Sequence, residues 1–374
     1  MIAVRAVGNG MFLSSSAAAL LVAAFATAAA DTARAQADAP DLQAAVLASL
    51  TVPAQAPAQV TATAGEDPTD DRGTLSLQWE NDQFGGNTDQ HYTNGLRASY
   101  LLSSHDTPVA VVEIARGLPF FPEEGDVRLG FSIGQSIFTP HHGEVWRHVN
   151  KGRPFAGWLY GGVQLTNDTG KQLDGFEIQL GVVGPSAGAE AVQDFYHDTT
   201  GSNRFRGWDY QLSDELGVVV AYERKWRLMA ERAPGDLGIA FEPSVGAAIG
   251  NVFTYAAVGG MLKVGSDVSS DWGPPRVRPA LSGTGAFKPV DDFEWYVFAG
   301  VEGRAVARNI FLDGNTFSDS QHVDKKTLVA DFQAGAVVTI GKVRLTYTQV
   351  YRTEEYVGQK KRDLFGVLSA SFRL

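Results

Sequence analysis

From residue 73 onward the side chains alternate between apolar and polar for stretches of ten or more positions. That period of two limits what the chain can fold into. In 327–339, Leu328, Ala330, Phe332, Ala334, Ala336 and Val338 oppose Val329, Asp331, Gln333, Gly335, Val337 and Thr339. In 293–306, Trp295, Val297, Ala299 and Val301 share one face, and Tyr296, Phe298, Gly300, Glu302 and Arg304 share the other. Successive side chains of a strand point to opposite faces, so the pattern reads as strand. A soluble sandwich turns its apolar face inward. A membrane barrel turns that face to lipid and keeps the polar face inside. Alternation alone does not separate these two.

Three further features favour the membrane. The first is export. Residues 1–35 read as a secretory signal, with Arg5 as the positive start, an apolar run from Met11 to Ala30, and Ala33-Arg34-Ala35 as a cleavage site. The second is aromatic residues near expected strand ends: Trp79, Tyr100, Trp158, Tyr160, Trp226, Trp295 and Tyr351, as interfacial girdles require. The third is the C-terminus. Leu364, Gly366, Leu368, Ala370, Phe372 and Leu374 alternate with Phe365, Val367, Ser369, Ser371 and Arg373. This end is similar to the terminal signal of bacterial outer-membrane barrels. Residues 36–72, rich in Ala, Pro, Gln and Asp, lack hydrophobic periodicity and read as a disordered periplasmic linker. The chain has no cysteine, so no disulfide framework supports it, and its net charge of −11 gives no basic field for nucleic acid.

The expected fold is all-β: a twelve-stranded antiparallel transmembrane β-barrel over 73–374, with a short helix in an extracellular loop. The strands are expected near 74–82, 94–104, 126–138, 153–167, 172–184, 213–229, 237–249, 252–265, 293–308, 325–340, 342–353 and 362–374. With a periplasmic N-terminus, the long 1–2, 3–4, 5–6 and 9–10 loops fall outside. Loop 266–292 is long and rich in Pro and Gly, yet parity puts it in the periplasm. It is either a missed strand pair or an unusual periplasmic loop. Ala189 to His197 reads as the helix, with Val192, Phe195 and Tyr196 on roughly one face; Gln193 and His197, at i and i+4, also share a face.

The chemistry concentrates at one end. Strand 1 runs into Asn81-Asp82, a Gly/Asn/Asp loop follows, and Tyr92-Thr93-Asn94-Gly95 opens strand 2. A helix lying over the rim can aim His197 at Asn81, Asp82 and Thr93. Imidazole titrates near ~6.5 and can accept a proton from water. Asp82 and the Asn81 amide offer the oxygen donors that a hard cation prefers. No Gly-x-Ser-x-Gly elbow occurs, which favours an activated water over a serine nucleophile.

Several motifs share one order along the chain. They are the Asn-Asp start, the Tyr-Thr-x-Gly turn, Gln135-Ser136-Ile137-Phe138-Thr139-Pro140, Gly181-Val182-Val183-Gly184-Pro185, Val192-Gln193 before His197, and Gly250-Asn251-Val252-Phe253-Thr254-Tyr255. In this order they resemble the outer-membrane lipid A 3'-O-deacylase family, over about 73–374. The resemblance implies a calcium-dependent hydrolase, probed by the residues that match. It removes the 3'-linked acyloxyacyl chain of lipid A at the outer surface of a Gram-negative outer membrane, as a monomer, with lipopolysaccharide as substrate. It implies His197 as general base, Asn81, Asp82 and Thr93 as catalytic partners, Gln193 in support, and Ca²⁺ at Asp82 and Asn81. Basic residues that the family carries after the Thr-Pro of strand 3 would be replaced by Arg147, His148 or Lys151. An acidic residue and a tyrosine that follow the histidine in the family stand here as Asn203 and Phe205.

Two other classes compete. A passive outer-membrane channel accounts for interior charges such as Glu302, Arg304, Asp331 and Arg344. A surface phospholipase would use the same water, histidine and calcium on a glycerolipid. The histidines His141, His142 and His148, and Asp89-Gln90-His91, read as solvated loop. Glu223, Lys225 and Arg227 read as interior barrel charges.

Overall fold

The computed structural model describes residues 72–86, 91–141, 152–232, 237–266, 268–276, 285–288 and 292–374. The expected signal, nearly all of the linker, and Arg147, His148 and Lys151 lie outside the described residues.

One antiparallel sheet of thirteen strands curls into a closed barrel. The strands are β1 (Thr74–Asn81), β2 (His91–Leu101), β3 (Asp126–Thr139), β4 (Ala156–Asp168), β5 (Gln172–Val183), β6 (Glu215–Trp226), β7 (Met229–Arg232), β8 (Gly238–Gly250), β9 (Phe253–Gly265), β10 (Phe293–Asn309), β11 (Leu328–Ile340), β12 (Val343–Arg352) and β13 (Asp363–Arg373). Strand β7 continues β6 after a break at Arg227–Leu228, and both pair with β8, so the thirteen strands make twelve staves. The chain ends meet: β1 pairs with β13 from Thr74↔Arg373 to Asn81↔Gly366. The β6–β8 seam is held at its top by Asn251, which accepts from the Val218 N–H at 2.8 Å and donates to Glu215 at 2.9 Å.

Burial follows the alternation. On β13, Asp363, Phe365, Val367, Ser369, Ser371 and Arg373 are buried in the lumen, and Leu368 faces outward. Two of the expected girdle residues differ. Trp158 and Tyr160 are inward, stacked at 5.5 Å in the lumen core. Their even parity on β4 places them opposite the lipid-facing Val163.

The lumen is filled. Buried charges are paired across it, as burial of a charge demands. Arg97 meets Glu177 at 2.7 Å, Asp331 takes Arg304 and Arg352 at 2.9 Å each, and Arg153 reaches Glu355 at 3.1 Å. At the upper rim, which carries the β1–β2 and β5–β6 loops, the short helix Ile310–Asp313 dips inward. Its Phe311 stacks on Phe138 at 4.0 Å.

At the lower rim the segment between β9 and β10 solves the parity conflict of 266–292. Its described residues contain no strand pair and turn into the lumen. Asp271 accepts from Lys263 at 2.8 Å and from Tyr296 at 2.6 Å, and lies 2.6 Å from Arg344. Trp272 crosses toward the opposite wall, donating to Asp168 at 2.8 Å beneath the Arg227 guanidinium. Burial would raise the Asp271 pKa, but Arg344 and then Lys263 more than offset it and hold the carboxyl well below the usual carboxylate range. This contribution to stability is therefore complete above the ordinary carboxylate pKa of ~3.9 and is lost only as pH falls through the depressed folded value.

Asp271→Asn should leave two buried cations short of a partner. Breaking such a pair costs about 3–5 kcal/mol. The expected result is a lower unfolding temperature of the folded barrel on gels and a new leak conductance in planar bilayers. The unaltered protein should stay closed between pH 7 and pH 5.

Candidate active site

The candidate residues lie on the outside of the wall. On β1, Gln78 and Glu80 point into the lumen, and Leu77, Trp79 and Asn81 point out. Asn81 is nevertheless buried, and two helices meet near this strand end. The first, α1 (Gln83–Gly86), follows directly on Asn81-Asp82 and is started by the Asn81 side chain, which accepts from the Gln83 N–H at 2.8 Å. The second, here α2 (Ala189–Thr200), is the helix expected from the sequence, one turn longer. Gly188 and Gly201 bound it with φ of 68° and 73°, and Gly201 N–H closes on the His197 carbonyl. Only glycine adopts that left-handed geometry freely.

The face α2 turns to the wall is the Gln193/His197 face, as expected for a helix that aims His197 at the rim. Ala189, Gln193 and His197, four residues apart, are buried at 1, 2 and 1% exposure, while Phe195 is 73% exposed. An apolar residue need not be hidden beside a membrane, whereas the polar pair has a site to serve. The seat is Gly157 on β4: a Cβ there would lie 2.6 Å from the Ala189 Cβ and 3.0 Å from that of Ala187. Gln135 of β3 donates to the Ala187 carbonyl at 2.7 Å, and Ile137, Phe155, Phe205 and Trp208 pack around Ala189.

Polar contacts then join the two helices. Tyr196 donates to Gln83 at 2.8 Å, and Trp79 sits edge-on to Phe84 at 4.7 Å and to Tyr196 at 6.3 Å. A chain of contacts thus runs from Asn81 through Gln83 and Tyr196 to the residue before His197. The His197 ring meets the edge of Phe205 at 4.9 Å, so the position where the resemblance expects a tyrosine packs here without a hydroxyl.

Thr93 is presented by a bulge. The β2–β3 register slips between Tyr92 and Asn94, leaving Thr93 as the extra residue. Bulges re-aim side chains beside functional sites. Its Oγ1 lies 2.7 Å from that of Thr139, and its carbonyl accepts from the Asp82 N–H at 3.4 Å. Asn81, Asp82 and Thr93 are therefore brought together at one corner of the rim.

His91 was read as solvated loop, and the structure overturns that. It opens β2, is fully buried, and has φ 67°, the only positive value outside glycine among the described residues. Its Nδ1 lies 2.5 Å from Asp363, and its Nε2 lies 3.1 Å from the Tyr356 hydroxyl. Because His91 pairs with Thr139, this clamp fixes the strand end on which the bulge is built. A histidine beside Gln and Asp carried no periodic signal by which sequence could find it. Ser186 is no nucleophile candidate: its hydroxyl and N–H both bind Asp214, at 2.7 and 2.8 Å.

Asp82 and the Asn81 amide are hard oxygen donors and suit Ca²⁺. No group of three or more His, Cys, Asp or Glu with metal-holding geometry occurs among the described residues. Further ligands would have to be hydroxyls, carbonyls, water or substrate.

A family model described as outer membrane protein LpxR matches residues 42–374. The chain belongs to that family, outer-membrane β-barrels of the lipid A deacylase class. LpxR from Salmonella typhimurium has a similar structure, with a TM-score of 0.66 and 23% identity over 80% of this chain and 100% of that one. The β domain of the Bordetella autotransporter BrkA aligns with a TM-score of 0.38 and 12% identity, covering 81% and 98%. The outer membrane enzyme PagL aligns at 0.24 and 10%, covering 42% and 91%. Neither of the last two bears on the fold. No curated protein sequence matches the chain.

Gly157→Val should displace α2 without unfolding the barrel. Overpacking of this kind costs about 1–3 kcal/mol. Added protease should then cleave within 189–200 about tenfold faster or more, while the folded barrel keeps its gel mobility.

Proposed function

We propose that the protein is a lipid A 3'-O-deacylase, hydrolysing the ester of the 3'-linked acyloxyacyl chain at the outer leaflet with a His197-activated water and Ca²⁺. The observation that carries this reading is the burial of His197 and Gln193 on the wall-facing side of α2, the helix that Tyr196 ties to Gln83, two residues after Asn81. The upper rim then faces the extracellular side, where the substrate headgroup lies. Arg147, His148 and Lys151, which fall between β3 and β4 in sequence, are proposed to meet the headgroup.

In this mechanism His197 takes a proton from water as the oxygen attacks the ester carbonyl. The bond from the acyl carbon to the sugar 3'-oxygen breaks, His197 passes its proton to the sugar oxygen, and the fatty acid leaves and ionises, giving its remaining proton to water. Gln193, one turn earlier on the same face, holds the geometry beneath the helix. Thr93, fixed by its bulge, offers a hydroxyl at the same corner. Ca²⁺ held by Asp82 and Asn81 would supply positive charge beside the developing oxyanion, where each such interaction is worth about 3–4 kcal/mol.

The filled lumen favours an enzyme over a passive channel. Mass spectrometry of lipid A from membranes with and without the protein tests the reaction. Loss of the 3'-acyloxyacyl mass is expected, and fatty acid released from phospholipid instead would mark a phospholipase. His197→Gln should lower turnover by about 10²-fold or more with the barrel intact, since Gln is a good helix former.

Chelation should abolish hydrolysis. Ca²⁺ should restore it better than Mg²⁺, which demands strict octahedral geometry. Full activity in excess chelator would remove the metal from the mechanism.

A further inference from the structure

Below the covered corner, on the same outer face, the wall is indented. The recess has a volume of about 960 Å³ and spans β11, β12, β13, β1, β2 and β3. Ala98, Ala336 and Ala370 lower its floor in places, with Leu77 standing between Ala98 and Ala370 and Leu345 beside Ala370. Trp79 lines its upper end, with its indole N–H donated to Asn94 at 3.2 Å. Two residues above Trp79 on the same face is Asn81. At about 3.3 Å per residue, the recess begins about 7 Å below the polar corner.

One face of the barrel thus carries a polar corner under a helix and, joined to it, an apolar trough open to the bilayer. A molecule that fits both is polar at one end and hydrocarbon at the other. We propose that the recess seats the acyl chain whose ester is cleaved, with Trp79 as the lip over which the chain bends up to His197. This rests on the hydrolase reading above. Lipid tails are as apolar as leucine, so the trough gains little affinity from hydrophobicity. Its effect is to hold the chain in one track, so that the carbonyl arrives in a fixed orientation, which is a large part of what catalysis gains from proximity.

The recess can be filled without disturbing the lumen, because the floor alanines point outward. The test uses the full-length protein in outer-membrane vesicles, as His197→Gln to stop turnover. The probe is a lipid A analogue with a photoreactive diazirine in its 3'-linked chain. Cross-links should be saturable, concentrated on β12, β13 and β1, and reduced about tenfold by Ala336→Leu with Ala370→Trp. The same substitutions in the active protein should raise KM more than they lower kcat. A diazirine phospholipid should label the whole circumference. Even labelling by the lipid A probe, labelling unaffected by the filled variant, or cross-links to a second barrel would overturn the proposal. Recess-specific cross-links with no deacylation by the active protein would instead leave the recess standing and remove the hydrolase reading.

Discussion

A wall that faces hydrocarbon must satisfy every backbone N–H and C=O within the protein, because lipid offers no partner. Here the requirement is met by joining the ends of the sheet, β1 to β13 and β6 to β8. Closure fixes the circumference at twelve staves, and a circumference of that size encloses a space that must be filled. It is filled by paired charges at mid-height, by Phe311 and its aromatic neighbours above, and by Asp271 and Trp272 below. A barrel so occupied leaves little room inside for a substrate, which moves the candidate chemistry to its outer surface.

On an outer surface, polar groups need cover. A free-standing Asn81 on a lipid-facing column would have no polar surroundings, and α2 supplies them. The helix can do so only because Gly157 lets the backbone approach closely and because left-handed glycines at both ends let it start and stop within one loop. The tyrosine–glutamine contact then ties the helix to the residues it covers. Positioning of His197 thus depends on a residue that has no side chain, on a neighbouring strand and forty positions away in sequence.

The staves were legible in the sequence because lipid outside and charge inside impose opposite chemistry on successive residues, and that contrast survives in one dimension. The helix was legible from its punctuation, and the Gln193/His197 spacing from its period. That spacing also pointed to the buried face of α2, and apolar Phe195, off that face, is 73% exposed. The role of His91 was hidden. It rests on a backbone angle and on partners from the last outer loop and strand, more than 260 positions distant. Segment 266–292 looked wrong because a loop that folds back into a lumen needs Asp, Trp and Gly rather than any periodic pattern. The broken stave at Arg227 was smoothed over, since its two halves follow one another along β8 with a register slip of a single residue.

The departures from the family pattern sit where the substrate would be read. Phe205 meets His197 at 4.9 Å in an edge contact and offers no hydroxyl at this position. Packing resists rotation of a ring but does not choose which nitrogen carries the proton. The clamp of His91 on Asp363 bears on chemistry it does not touch. It holds the strand end from which Thr93 projects, and a shift of that strand would separate the threonine from Asp82 before it disturbed the barrel, whose closure lies lower in the same sheet.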